Sequence, residues 1–454
     1  MNADLPEPSA DAAAASSALT RIIAHEIQHS GGWISFARYM ELALYAPGLG
    51  YYAGGARKFG DFSDGGDFMT APELTPLFGQ AVARQVAQIL QQVPAGEHPM
   101  VIEVGGGSGR LAADLLLALD ALDAAPERYL ILEVSGELRA RQATTVAEFA
   151  PALAARVEWL EKLPEAFSGC LIANEVLDAM PTHILRWDSD GVRERGVGIA
   201  HERLCWSDEI YPAGSGGANS TEPELTAAAD LLAPLPPGYE SEINLAARAW
   251  VETLAKRLRT GALLLIDYGL PQHELYHASR NGGTLRCHYR HRVHNDPFWY
   301  PGLSDITSHV DFTAVADAGF RAGLDVLGYA NQASFLINCG LGELLLERKG
   351  RSSVDADKAT SLETSDETTA HQEGAGWNPT RFAADTLEGG REKDGLFAVA
   401  DDDRSSNRSL RAQGAVNLLI SPNEMGELFK VIILGRGLKE ALIGFTQGNR
   451  VHAL

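Results

Sequence analysis

The stretch VIEVGGGSGRL, residues 101–111, decides how the rest of the chain is read. A short apolar run carries an acid, Glu103, and gives way to three alternating glycines, Gly105, Gly107 and Gly109. Residues 111–119 then have helix-compatible spacing. Strand, tight turn and helix make the first βαβ step of a nucleotide-binding sheet. The glycines let the backbone turn sharply and let a ligand lie against bare main chain. A dinucleotide-binding turn reads G-x-G-x-x-G and seats a pyrophosphate on the helix N-terminus. Here the pattern is E-x-G-x-G-x-G, with the acid on the strand itself. An anion at Glu103 repels a phosphate but suits a ligand carrying hydroxyls and a cation. S-adenosylmethionine has a sulfonium, an ammonium and no phosphate. Taken alone, the turn is also compatible with an ordinary βα connection.

A second apolar run ending in an acid, Tyr129 to Glu133, follows one helix later. At the tip of the neighbouring strand of an open α/β sheet, a carboxylate reaches the ribose hydroxyls of a bound nucleotide. The competing role for Glu133 is to cap the helix expected over residues 136–149.

The 454 residues allow two or three average domains or one decorated domain, and 45% hydrophobic content suffices for a large core. Sixty acids against 38 bases give a net charge of -22, which argues against nonspecific nucleic-acid or anionic-membrane binding. Cys170, Cys205, Cys287 and Cys339 lack CxxC spacing, so no disulfide framework or zinc knuckle is expected, and a cytoplasmic setting fits. No run is long and apolar enough to span a membrane, and the acidic, Ala/Ser-rich start resembles no targeting peptide.

In chain order, residues 1–17 are expected to be a disordered leader and 18–95 a helical, lid-like segment. Helices are predicted over 19–30, 35–44 (Ser35 as N-cap) and 76–93. Residues 45–75 interleave aromatics, glycines and acids, as a lid or substrate wall does, and include Glu73. Residues 156–160 form a third strand and 169–181 a fourth strand with its exit loop. Polar side chains there, Asn174, Glu175 and Asp178, face the ligand crevice, where a carboxylate can orient a cationic acceptor and take its proton. Alternation over 183–207 signals a hairpin insertion, 214–217 a flexible loop, 242–259 an amphipathic helix and 262–269 a fifth strand tipped by Asp267 and Tyr268. The loop 280–311 is rich in Arg, His and aromatics, including Arg286 and His309. It suits recognition of an acidic partner segment or of acceptor side chains. His288, His291 and His294 match no standard metal spacing, so no metal is expected. A helix over 312–319 and a sixth strand within 324–336 follow. Residues 350–410 are polar and acidic and are expected to be a disordered insertion. Structure resumes at Val416, and residues 427–435 supply a seventh, antiparallel strand.

Eight stretches in this order resemble the S-adenosylmethionine-dependent methyltransferases related to MidA, a mitochondrial complex I assembly factor that methylates an arginine. They are GDFMTAPELTPLFG (66–79), VIEVGGGSGRL (101–111), ILEVSGELRARQ (131–142), NEVLDAMP (174–181), LLLIDYG (263–269), GTLRCHYRH (283–291), PGLSDITSHVDF (301–312) and SPNEMGELFKVI (421–432). The resemblance implies a class I methyltransferase core, a Rossmann-like seven-stranded sheet over 96–349 and 411–454, with an N-terminal helical cap and inserted elements. It implies S-adenosylmethionine at Glu103, Gly105, Gly107 and Glu133, with Gly109 and Asn174 beside them. In the relatives the acceptor is a protein arginine, such as one on a respiratory complex I subunit. Glu73, Glu175 and Asp178 are then the catalytic candidates, and Asp267, Tyr268, Arg286 and His309 the substrate-binding ones. Two rival functions are methylation of a small-molecule amine and a non-catalytic assembly chaperone that binds the cofactor only structurally. A dehydrogenase is disfavoured by the missing G-x-G-x-x-G. The oligomeric state is left open.

Overall fold

Near-continuous apolar runs form the strands of one central sheet, because a parallel strand covered by helices is buried on both faces. The strands are β1 (Met100–Val104), β2 (Tyr129–Leu132), β3 (Val157–Leu160), β4 (Phe167–Asn174), β5 (Leu258–Leu270), β6 (Asp325–Asn331) and β7 (Phe429–Arg436). They lie in the order β3-β2-β1-β4-β5-β7-β6. Pairing is parallel from β3 through β5, and β7 runs antiparallel to both β5 and β6. Seven strands with a reversed β7 are the predicted class I methyltransferase sheet. A two-residue strand, Val310–Asp311, extends it beside Gly269 and Leu270 of β5. The computed structural model describes residues 5–54, 70–211, 223–232, 235–348 and 412–454.

The chain leaves β1 toward β2 and β3 on one side and places β4 and β5 on the other. A crevice therefore opens at the C-terminal ends of β1 and β4. Register brings the tips level: Val104 pairs with Leu132 on one side and Ala173 on the other, and Asn174 pairs with Ile266. The core beneath is a continuous cluster that includes Ile102, Leu130, Leu171, Leu263, Leu265 and Ile432.

Helices form over Pro76–Gln91, Arg110–Ala121, Gly136–Phe149 and Phe312–Arg321, close to their predicted spans. Ser35 caps the helix Phe36–Tyr45, accepting from Arg38 N at 3.1 Å.

Three expectations are corrected. The leader over 1–17 gives way at Ala10, where the helix Ala10–His29 starts with Ser9 as its cap. Its alanines are the strongest helix formers, and Ser16 and Leu19 are already buried on the inner face. The hairpin over 183–207 is larger than predicted. Strands His183–Asp188, Gly191–Ala200 and Arg203–Tyr211 join Ile34–Ser35 and Tyr239–Ile243 in a separate five-stranded sheet. That last strand in turn delays the helix predicted from Glu242, which begins at Leu245 after the Asn244 cap.

A three-stranded sheet of Arg286–Tyr289, Arg292–His294 and Asp305–Thr307 organises the Arg/His-rich segment. A second compact unit, Gly342–Ala415, is described only at its ends, 342–348 and 412–415, both helical. The acidic insertion expected over 350–410, the loop expected at 214–217 and residues 55–69 of the lid-like stretch lie outside the described residues.

Candidate active site

A cavity of about 530 Å³ sits at the crevice, within the range of small-molecule sites. One end is built by the glycine turn. Gly105, Gly107 and Gly109 all have positive φ, at 69°, 51° and 85°. The tightest demand falls on Gly109, where a Cβ would come within 2.8 Å of Gln142 Cα. Gly105 and Gly107 line the cavity, whereas Gly109 sits behind the turn and starts the helix Arg110–Ala121.

Glu103 lines the same end although only 2% exposed, and its Oε2 accepts from the Tyr129 hydroxyl at 2.6 Å. Burial pushes its carboxyl up to about 7, against the Tyr129 bond, which favours the charged form. Glu133 projects from the tip of β2 into the cavity. Its two oxygens accept from Ser135 N at 2.9 Å and Gln142 Nε2 at 3.1 Å. The cap of the following helix is Ser135, not Glu133.

At the tip of β4, Asn174 donates Nδ2 to Glu175 Oε1 at 3.0 Å. Asn174 Oδ1 is buried without a hydrogen-bond partner. Buried acceptors are ordinarily satisfied, so this atom awaits a donor. Glu175 has φ 53°, uncommon for a side-chain-bearing residue, and its backbone N donates to Ile266 O at 2.9 Å. Burial and the neighbouring Asp178 push the Glu175 carboxyl up to about 8, and burial pushes Asp178 to about 6.

Glu73 arrives from the N-terminal segment, in the turn Ala71–Leu74, and accepts from Ser108 Oγ of the glycine turn. Glu73, Glu175, Asp178, Tyr268, Arg286 and His309 all line the cavity. Tyr268 and His309 meet edge to face at 5.6 Å, and burial lowers the His309 imidazole to about 4, keeping it neutral.

Asp267, like Gly109, departs from the predicted site. Fully buried, it stays outside the cavity wall and fastens the β4 exit loop. Its Oδ2 accepts from the backbone N of Val176, Leu177 and Asp178 at 3.1, 2.9 and 3.2 Å. The substrate-binding assignment is withdrawn, because its acceptor capacity is spent on main chain.

The sequence reading missed Tyr45, Tyr52, Ser108, Asp305 and Thr307 in the wall and Gln142 behind it. Tyr45 and Tyr52 stack at 5.5 Å, and Tyr52 donates to both oxygens of Asp305 at 3.0 Å. Their aromatic-glycine context was a signal for a wall, but nothing in it singled out these rings. Among the described residues no group of three His, Cys, Asp or Glu could hold a metal ion.

The site fits S-adenosylmethionine on its own terms: a buried carboxyl on β1 beside the turn in place of a phosphate seat, a strand-tip carboxylate suited to ribose hydroxyls, and a buried acceptor at Asn174 suited to an ammonium N–H. Fold and site together define a class I S-adenosylmethionine-dependent methyltransferase. The model of the family "Putative S-adenosyl-L-methionine-dependent methyltransferase" matches residues 81–330, and the chain belongs to that family. A Burkholderia thailandensis protein solved with bound S-adenosyl-homocysteine is 44% identical, with a TM-score of 0.82, covering 99% of this chain and 100% of that one. The zebrafish (Danio rerio) mitochondrial protein arginine methyltransferase NDUFAF7 is 30% identical over 68% of this chain and 74% of its own length. The mouse (Mus musculus) protein of the same name is 28% identical over 72% and 76%. The cofactor is S-adenosylmethionine.

Proposed function

We propose that the methyl acceptor is an arginine side chain presented by a protein partner. One observation carries the reading: the cavity wall gathers Glu175, Asp178 and Asp305 with the stacked rings of Tyr45 and Tyr52, and Glu73 joins them from beside Ser108 of the glycine turn. Carboxylates grip a planar guanidinium through charge-assisted, bidentate hydrogen bonds, and aromatic faces attract its charge. The relatives named as protein arginine methyltransferases support the same acceptor. A respiratory-complex subunit is the partner to try first, on the strength of the sequence resemblance. A reducing, cytoplasmic setting is proposed from four free cysteines.

S-adenosylmethionine supplies an electrophilic methyl group on its sulfonium. The protein's task is alignment for in-line attack and management of one proton. Glu175 and Glu73 hold the guanidinium so that one nitrogen faces the cofactor end. Glu175, kept neutral near pH 7 by burial and Asp178, releases its proton to solvent when the cation arrives, since an opposite charge favours the charged carboxylate. The guanidinium nitrogen forms its bond to the methyl as the methyl–sulfur bond breaks, leaving S-adenosylhomocysteine, and gives its own proton to the ionised Glu175 or Asp178 carboxylate.

The test is methyl transfer from radiolabelled cofactor in cell lysate. Label in the protein fraction, lost with Glu175→Gln, supports the reading. Label only in small molecules, or cofactor binding with no transfer, replaces it with an amine methyltransferase or a non-catalytic chaperone.

A further inference from the structure

Gln142 lies on the helix Gly136–Phe149, fully buried at 0% exposure, and touches three separate pieces of the cofactor end. Its Nε2 donates to Gly107 O and to Glu133 Oε2, both at 3.1 Å, and its Oε1 accepts from Trp159 Nε1 on β3 at 2.9 Å. The orientation of the amide follows from its partners. An indole N–H can only donate, so it fixes the oxygen. The two hydrogens of the nitrogen then match two acceptors, and every polar atom of the side chain is satisfied. Turned over, the amide would set its oxygen against a carboxylate and a carbonyl and its nitrogen against an N–H.

The fit is close as well as polar. A Cβ on Gly106 would stand 3.2 Å from Gln142 Nε2, and one on Gly109 2.8 Å from Gln142 Cα. Glu133 is thereby held from two sides, by Gln142 on one oxygen and Ser135 N on the other. Each oxygen keeps a lone pair for a ligand hydroxyl.

We infer that Gln142, oriented by Trp159, is a positioning residue for the cofactor: it locks the Glu133 carboxylate and the Gly107 carbonyl in the geometry that receives the ribose. This rests on Glu133 taking the ribose hydroxyls, the role given by its place at the tip of β2.

The experiment is calorimetric binding of S-adenosylhomocysteine and its 2′-deoxyribose analogue to the full chain and to Gln142→Met and Glu133→Ala. Methionine fills the same space without hydrogen bonding. Gln142→Met is expected to weaken S-adenosylhomocysteine by about tenfold, the scale of a lost hydrogen bond to a charged group. It should also shrink the wild-type preference for the ribose form, because a mobile Glu133 no longer distinguishes the two ligands. If Gln142→Met weakens both ligands equally while Glu133→Ala abolishes the preference, Gln142 is packing alone and the inference fails. If Glu133→Ala keeps the full preference, the ribose role of Glu133 is wrong and the inference falls with it. Should Gln142→Met not fold, Trp159→Phe takes its place. Removing the indole N–H frees the amide to rotate, so the preference should again shrink, and an unchanged preference overturns the inference.

Discussion

The Tyr129 hydroxyl on β2 reaches across to Glu103 on β1 and donates a 2.6 Å hydrogen bond to a carboxyl that is otherwise buried at the edge of the cofactor cavity. Burial holds that carboxyl near 7, and the Tyr129 hydrogen bond opposes it by favouring the charged form. Tyr129→Phe therefore raises the Glu103 pKa further. The variant should bind S-adenosylhomocysteine more weakly at neutral pH and recover as pH rises toward about 9, when the carboxyl ionises in both proteins. Calorimetry across that range checks it, and a constant ratio between the two proteins contradicts it.

The carboxyls at the strand tips make stability depend on pH with a definite sign. Glu103, Glu175 and Asp178 are raised to about 7, 8 and 6 in the folded chain. The folded state thus binds protons that the unfolded chain has already released near the ordinary carboxylate range. Stability falls as pH climbs through these folded values and levels off above them. Without ligand, the thermal midpoint should drop between about pH 7 and about pH 8, above the range where the depressed His309 adds the opposite slope and ordinary carboxylates titrate. Glu175→Gln should flatten the upper part of the drop, and a midpoint that rises across this window contradicts the picture.

Ser108 donates to Glu73, joining the glycine turn to the N-terminal segment. Ser108→Ala should leave Glu73 in place but unanchored, costing about 1 kcal/mol of stability. Acceptor KM should rise more than cofactor affinity falls. Denaturant titration and two-substrate kinetics separate these effects, and an unchanged acceptor KM would remove Glu73 from the acceptor site.

Gly109 stands at φ 85° against the backbone of Gln142. Gly109→Ala combines a strained backbone with a close contact and should destabilise the chain by about 1–3 kcal/mol. Urea unfolding measures the loss, and S-adenosylhomocysteine should restore less of it than in the wild type.

Much of the frame was legible because local pattern and fold agreed. VIEVGGGSGRL and the acid at Glu133 became strand tips at one crevice, and the helix over 136–149 formed at its predicted bounds. The errors came where long-range pairing decided. Glu242 looked helical from its neighbours' spacing, but Tyr239–Ile243 pairs with His183–Asp188, and Glu242 accepts from Thr284 and Leu285 N. Asp267 and Tyr268 are adjacent at one strand tip, so alternation sends one under the β4 loop and the other into the cavity. The sequence places both at the crevice and does not say which turns inward. Gln142 was hidden for a related reason. A glutamine amid Arg139, Arg141 and Glu148 looks solvent-facing until Trp159, from another strand, gives it a partner.

The central claim, arginine as acceptor, is tested most directly by hydrolysing the labelled protein to amino acids after transfer from radiolabelled S-adenosylmethionine. The account predicts label in methylated arginine, with transfer reduced by about a hundredfold in Glu175→Gln, the usual scale for a lost acid-base group. Label in methyl-lysine or a carboxyl methyl ester, or transfer indifferent to Glu175→Gln, would contradict it.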